Sequence, residues 1–222
     1  MLELNKILDA SHILITTDDN SFANANALYS YILTLHKKVS MHYVETIDSN
    51  LSFLPWFDKA RSSKAVSAEY TLNATADTKA LFLFFKENNI KINPKMATSL
   101  YAGILKRYNV FVSDDCDGTI FAISSELIAL NAEYRAANEY MRNRVPLSYL
   151  RLKALLFKSM LLVDSATVAE LYVSEGELQE SGASMKDAYL LMNEALSLVN
   201  VNKVMLYEYD KNKRMLIKEI KK

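Results

Sequence analysis

The chain has 222 residues, half of them hydrophobic, with 26 basic and 26 acidic side chains and a formal net charge of zero. That balance gives no global attraction to nucleic acid or an anionic membrane, and the length suits one large domain or two small ones. There are four glycines where average usage would give about fifteen, and one cysteine; Gly103, Gly118, Gly176 and Gly182 are too scattered to write a Walker loop, a dinucleotide fingerprint or a glycine-rich metal loop, and Cys116 alone excludes a disulfide framework.

In chain order, MLELNKILDASHILI carries acids before a short apolar run and reads as neither a signal peptide nor a membrane span, so a cytoplasmic location is expected. The run from His12 to Thr16 predicts a buried strand. Asp18, Asp19 and Asn20 offer caps to a helix over Ser21–Lys37, whose C-terminal end Lys37 and Lys38 would favour. Val39–Val44 alternates as a second strand, which makes a parallel βαβ unit. Residues 46–75 are irregular, with a strand over Lys64–Leu72. Helices follow at 76–88 and 94–108, the second with Pro94 in its first turn. Val110–Ser113 predicts a strand, Thr119 a cap for a helix reaching Leu130, and Glu133–Arg144 a further helix.

From Pro146 to Met160 the pattern is a helix able to join two lobes. Strands at 168–173, 201–209 and 215–220 around a helix at 184–198 make an α+β ending. The expected organisation is therefore an α/β domain over 1–145, a connecting helix over 146–160 and a smaller α+β domain over 161–222.

Four strings carry a family likeness: residues 4–17 (LNKILDASHILITT), 91–105 (KINPKMATSLYAGIL), 119–156 and 171–209. Together with the order of elements, these strings make the chain resemble the DHH/DHHA1 phosphoesterases, most closely the RecJ-like, oligoribonuclease and phosphoadenosine-phosphate phosphatase branch. The resemblance implies a parallel-sheet first lobe and a truncated α+β second lobe. In active members it implies hydrolysis of phosphoesters by two manganese ions that deliver hydroxide and steady the phosphoryl oxygens. Laid on this chain, the first metal motif falls on Thr16–Ala27, with its histidine at Thr17, its two aspartates at Ser21 and Ala23, and its glycines at Phe22 and Asn26. The later aspartate falls on Arg107 and a later glycine on Asn109. No histidine follows His42, so the DHH string is absent, and the terminal glycine-rich phosphate loop is absent too. The resemblance thus implies a chain with no catalytic residue at Thr17, Ser21, Ala23 or Arg107.

The remaining chemistry is sparse. Asp18, Asp19 and Glu45 are the residual metal-site candidates if manganese hydrolysis of short oligonucleotides or nucleoside phosphates survives, and helix capping is the plainer reading of the two aspartates. Asp114, Asp115, Asp117 and Gly118 read as a turn rather than a calcium loop. His12 and His42 read as structural, and the acids around Cys116 should raise its thiol pKa. Lys211, Lys213, Arg214 and Lys218 offer a basic edge for phosphate or nucleic acid, or simply a solvated hairpin. Phe53, Leu54, Trp56 and Phe57 are either core plugs or an interface anchor. The expected function is an inactive phosphoesterase homologue that binds a protein partner or itself, with no cofactor and no membrane. The alternatives are residual manganese hydrolysis and non-catalytic nucleotide binding.

Overall fold

Residues 3–62, 67–210 and 213–222 are described by a computed structural model of the chain. The chain divides into two compact units, Met1–Arg144 and Val145–Lys222.

The first unit is built on a parallel sheet. Strand β1 (His12–Thr17) pairs in parallel with β2 (Lys38–Tyr43) on one side and with β4 (Tyr70–Asn73) on the other, and a two-residue β3 (Ala60–Arg61) extends the β2 side. The order β3-β2-β1-β4 makes β4 an edge. A short helix α1 (Leu4–Asp9) precedes β1, and Lys37 donates to the Leu8 and Ala10 carbonyls at its end, both at 2.6 Å. Lys37 therefore serves α1, not the C-terminus of the following helix as its sequence position suggested.

Helix α2 (Phe22–Thr34) is buried at every residue from Phe22 to Ile32, which a parallel sheet covered by helices requires of its central crossover. Helices α3 (Thr78–Glu87) and α4 (Pro94–Arg107) complete the core. Phe22, Ile13, Ile15, Phe85, Met96 and Ile104 are among its fully buried side chains. Asp77 and Asn93 cap α3 and α4 by accepting the Ala80 and Met96 amides at 2.9 and 3.0 Å. Helix α5 (Gly118–Ala129) is capped by Asp117, which accepts the Ile120 amide, rather than by Thr119.

The strand expected over Val110–Ser113 does not form. Asn109, Val110 and Phe111 have φ of 43°, 55° and 68°, a left-handed turn closing α4. The Val110 amide donates to Leu105 O, and Phe111 stacks on Phe121 at 5.2 Å and meets Tyr101 edge-on at 6.2 Å. A branched residue in this region costs about 1–2 kcal/mol, and the aromatic packing offsets it. Helix α6 (Tyr134–Asn138) passes into a π-helical turn at Glu139–Asn143. Of the strand read over Lys64–Leu72, the stretch 64–66 lies outside the described residues, and strand pairing begins only at Tyr70.

The second unit opens with α7 (Leu147–Lys158), whose Leu152 and Leu156 are buried in this unit's own core, so the helix read as a connector is part of that core. Its sheet has the order β5-β6-β7-β8: β5 (Leu161–Val163), β6 (Val168–Val173), β7 (Lys203–Asp210) and β8 (Lys213–Lys221). The β6–β7 pair is parallel and its crossover contains α8 (Glu175–Ser181) and α9 (Met185–Leu196), while β7 and β8 form the expected antiparallel hairpin. Neither β5 nor α8 is legible beforehand, because β5 is three residues long and α8 is short and polar. A Ser174–Glu177 capping box starts α8, and Gly182 ends it at φ 70°. No described helix is long and apolar enough to cross a membrane.

Candidate functional site

In an open parallel sheet, ligands collect at the carboxyl ends of the strands where the strand order reverses. Here that crevice lies between β1 and β4, with α2 and α3 leaving it and the end of α4 facing it. The residues there are Thr17, Asp18, Asp19, Ser21, Asn24, Thr78, Gly103 and Lys106.

Thr17 and Ser21, the places of a metal-binding histidine and aspartate in the resembled motif, are 4% and 3% exposed and share a hydroxyl hydrogen bond of 2.9 Å. Asp18 accepts from the Ser21 hydroxyl at 2.6 Å and the Ser21 amide at 2.8 Å, and returns its own amide to the Ser21 hydroxyl. It caps the turn ahead of α2, and Ser21, not an aspartate, holds the helix N-cap position. The Ser21 hydroxyl bond holds the Asp18 carboxyl below its ordinary 3.8 against the opposing effect of burial. A depressed carboxyl pKa adds stability that is complete above 3.8 and is lost as pH falls through the folded value. An NMR titration is expected to place the Asp18 midpoint below that of a free aspartate, and Ser21→Ala is expected to raise it; an unmoved midpoint would refute the assignment.

Asp19 is engaged at both oxygens. One accepts the Asp48 amide at 2.8 Å and the other the Lys106 ammonium at 2.7 Å. The ion pair is sheltered, with 15% and 28% of the two side chains exposed. Arg107, on which the later aspartate of the resembled motif falls, turns away to Asp115 at 2.8 Å and is half exposed. The cation facing Asp19 is Lys106, the residue before it. Ala23 is buried inside α2, and Glu45 is exposed in the bend after β2.

These groups do not fit a divalent metal. An ammonium already neutralises Asp19, Ser21 donates its hydroxyl and its amide to one Asp18 oxygen, and Thr17, Ser21 and Ala23 are poor ligands or none. Among the described residues, no three histidine, cysteine, aspartate or glutamate side chains gather so as to hold a metal ion. Asp18, Asp19 and Glu45 are therefore not brought together as a ligand set.

Deeper in the crevice, Asn24 donates to Thr75 O at 2.7 Å and accepts from the Thr78 hydroxyl at 3.0 Å. Both side chains are 1% exposed. This pair was missed in the sequence, although an asparagine inside an otherwise apolar helical run was a signal for it. Gly103 faces them: a Cβ there would lie 2.6 Å from Thr78 Oγ1 and 2.8 Å from Asn24 Oδ1. Its absence of a side chain lets α4 approach α2. At two positions where the resembled motifs carry glycine, Phe22 fills the core and Asn109 keeps a left-handed backbone that asparagine tolerates. Asn26 donates to Phe22 O and accepts the Trp56 amide.

The tryptophan segment packs onto the first core. Leu54 is buried, and Phe53, Trp56 and Phe57 are partly so. The Trp56 indole donates to Ser30 at 2.6 Å with Lys95 over its ring at 4.3 Å, while Phe57 meets Phe22 at 5.6 Å and Phe53 meets Tyr140 at 5.1 Å. These contacts support the core-plug alternative for the segment. The 113–117 region is a turn: Asp115 accepts from Ser113 and Arg107, and the Cys116 thiol is pushed up by burial, then by Asp117 and Asp115. His12 shares a hydrogen bond with Ser40 and His42 one with Ser62 O.

In the second unit, Arg214 lies over Tyr172 at 4.8 Å, Tyr172 stacks on Tyr207 at 5.5 Å, and Lys218 covers Tyr189 at 4.5 Å. Lys211 lies outside the described residues, as does the side chain of Lys213.

No protein-family model and no curated protein matches the sequence. Among solved structures, an exopolyphosphatase-related protein from Bacteroides fragilis superposes with a TM-score of 0.74 at 14% identity, over 96% of this chain and 80% of that one. A putative family II inorganic pyrophosphatase from Methanococcus jannaschii gives 0.34 at 13% identity, over 90% and 84%, a likeness too slight to argue from. The first shows the fold: a mixed α/β architecture with a parallel four-stranded sheet and a second four-stranded sheet, shared with that exopolyphosphatase-related protein.

Proposed function

We propose that on this phosphoesterase-like fold the chain works without hydrolysis, as a protein-binding scaffold whose former metal crevice is closed by its own side chains. The observation that supports this reading is the Lys106–Asp19 pair at the end of β1. A phosphoesterase of the resembled kind needs carboxylates that share two dications. An ammonium 2.7 Å from Asp19 supplies one positive charge with no open coordination position and cannot ionise a water at neutral pH. Asp18 is held by Ser21 in the same way, so closing the crevice costs no unpaired buried group.

The test uses the full chain with excess manganese on a short oligoribonucleotide, a phosphorylated nucleoside and inorganic polyphosphate. Product is expected to form at the protein-free rate. Turnover that vanishes in both Asp18→Asn and Asp19→Asn would overturn the reading in favour of residual hydrolysis. One observation favours a second reading: Arg214, Tyr172 and Tyr207 gather as a cationic and aromatic cluster, the residue types that single-stranded nucleic acid contacts. A thermal shift with the same oligoribonucleotide decides it. Stabilisation lost in Arg214→Ala would make the chain a nucleic-acid binder, and no shift leaves the scaffold reading standing.

A further inference from the structure

We infer that the free edge of β4 takes up an extended, basic segment of a partner protein as a fifth strand of the first sheet. This names a surface for the scaffold role proposed above and rests on it.

Three observations converge on the edge. The first is its open hydrogen-bonding row. The Ala74 amide donates to Thr16 O, and Tyr70 and Leu72 stand opposite Ile13 and Ile15. In a parallel ladder bonding residues alternate, so Tyr70 and Leu72 turn their backbone groups to β1 and Thr71 and Asn73 turn theirs outward.

The second is the lack of protection. Edge strands are normally blunted by lysine or proline. Strand β8, an edge of the other sheet, carries Arg214, Lys218 and Lys221, whereas Tyr70–Asn73 holds no charge and no proline.

The third is a groove of about 890 Å³ running beside the strand, between α1 and α3. Leu4, Leu81 and Phe84 give it an apolar floor, and among the described residues its ionisable side chains besides Tyr70 are Glu3 and Glu87. Glu3 has an exposed pairing with Lys6, an interaction worth little. Among the described residues no lysine or arginine lines the groove itself, so with the Glu3–Lys6 pair set aside Glu87 leaves it negative. An extended segment with alternate apolar side chains and flanking lysine or arginine matches both the backbone row and the charge.

The experiment measures binding of a fluorescent peptide, valine alternating with threonine between terminal lysines, to the full chain. Two controls accompany it: the same peptide with terminal glutamates, and the basic peptide N-methylated at alternate amides. The basic peptide is expected to bind saturably, at least tenfold tighter than either control, and to slow hydrogen exchange at the Thr71 and Asn73 amides. Glu87→Lys is expected to reverse the charge preference, and Thr71→Pro to weaken binding about tenfold by removing an outward N–H. Glu87 is exposed at the end of α3, so its substitution carries the test even if Thr71→Pro does not fold.

Equal binding of all three peptides, or none at millimolar concentration, would overturn the inference. So would a concentration-dependent dimer that protects the same amides without peptide, since a second copy would then be the occupant. The turnover assay judges the scaffold reading separately: turnover there, with peptide binding here, would leave this surface standing and remove the other.

Discussion

Replacing Phe85 by alanine is expected to lower the stability of the first unit by about 3–5 kcal/mol. Phe85 is fully buried on α3, with Tyr31 edge-on at 5.6 Å and Phe84 at 5.9 Å. Truncation removes the transfer free energy of the ring and leaves a cavity beneath a helix that cannot follow it inward, because the Asp77 cap and the Asn24–Thr78 bond hold its N-terminus. A domain of this size has about 5–15 kcal/mol in hand, so one ring is a large share. The measurement is direct, because Trp56 is the only tryptophan and belongs to the first unit. Its fluorescence in guanidinium chloride should show a lower midpoint for Phe85→Ala, and a loss under about 1 kcal/mol would contradict the packing of α3 described above.

Gly103→Leu is expected to cost about 4 kcal/mol or to prevent folding of the first unit. Two effects add: overpacking, typically 1–3 kcal/mol, and the rupture of a buried bond that leaves Asn24 or Thr78 unsatisfied, about 1–3 kcal/mol. Gly103→Ala separates them. Alanine gains about 1 kcal/mol of helix propensity over glycine, yet its Cβ would still lie under 3 Å from both polar atoms. A net loss of about 1–2 kcal/mol is therefore expected, read by the same Trp56 transition. A stabilised Gly103→Ala would show that α4 can back away from α2, and the close approach would then not be what glycine is there for.

The elements that local pattern identifies are those whose burial is one-sided or complete along the chain. The run His12–Thr16 and the helices 78–87 and 94–107 each carry an apolar period that survives any tertiary arrangement. Val110–Ser113 failed because its apolar residues are used by rings from other helices, Tyr101 and Phe121, and that contact outweighs strand propensity. The candidate site shows the same division. That Thr17, Ser21 and Ala23 are poor metal ligands or none was plain from residue identity. Which cation faces Asp19 was not, since Lys106 and Arg107 are consecutive on α4 and lie on either side of the Gly103 line. The left-handed turn after the helix, and Asp115 beyond it, draw Arg107 away and leave Lys106 to enter.

What the amino-acid order determined by itself is the inventory: alternating strands and helices, few glycines, and threonine, serine and alanine at Thr17, Ser21 and Ala23. A residue's identity needs no fold to be read. What only tertiary structure decided is which side chains meet at the end of β1. The Lys106–Asp19 pair joins residues 87 apart in sequence, and the Thr78–Asn24 bond joins residues 54 apart. Such contacts carry no local period, because they form only once the sheet has set the distance between α2, α3 and α4. The shortage of glycine came from composition, but the reason one glycine remains at 103 came from the two helices that meet there.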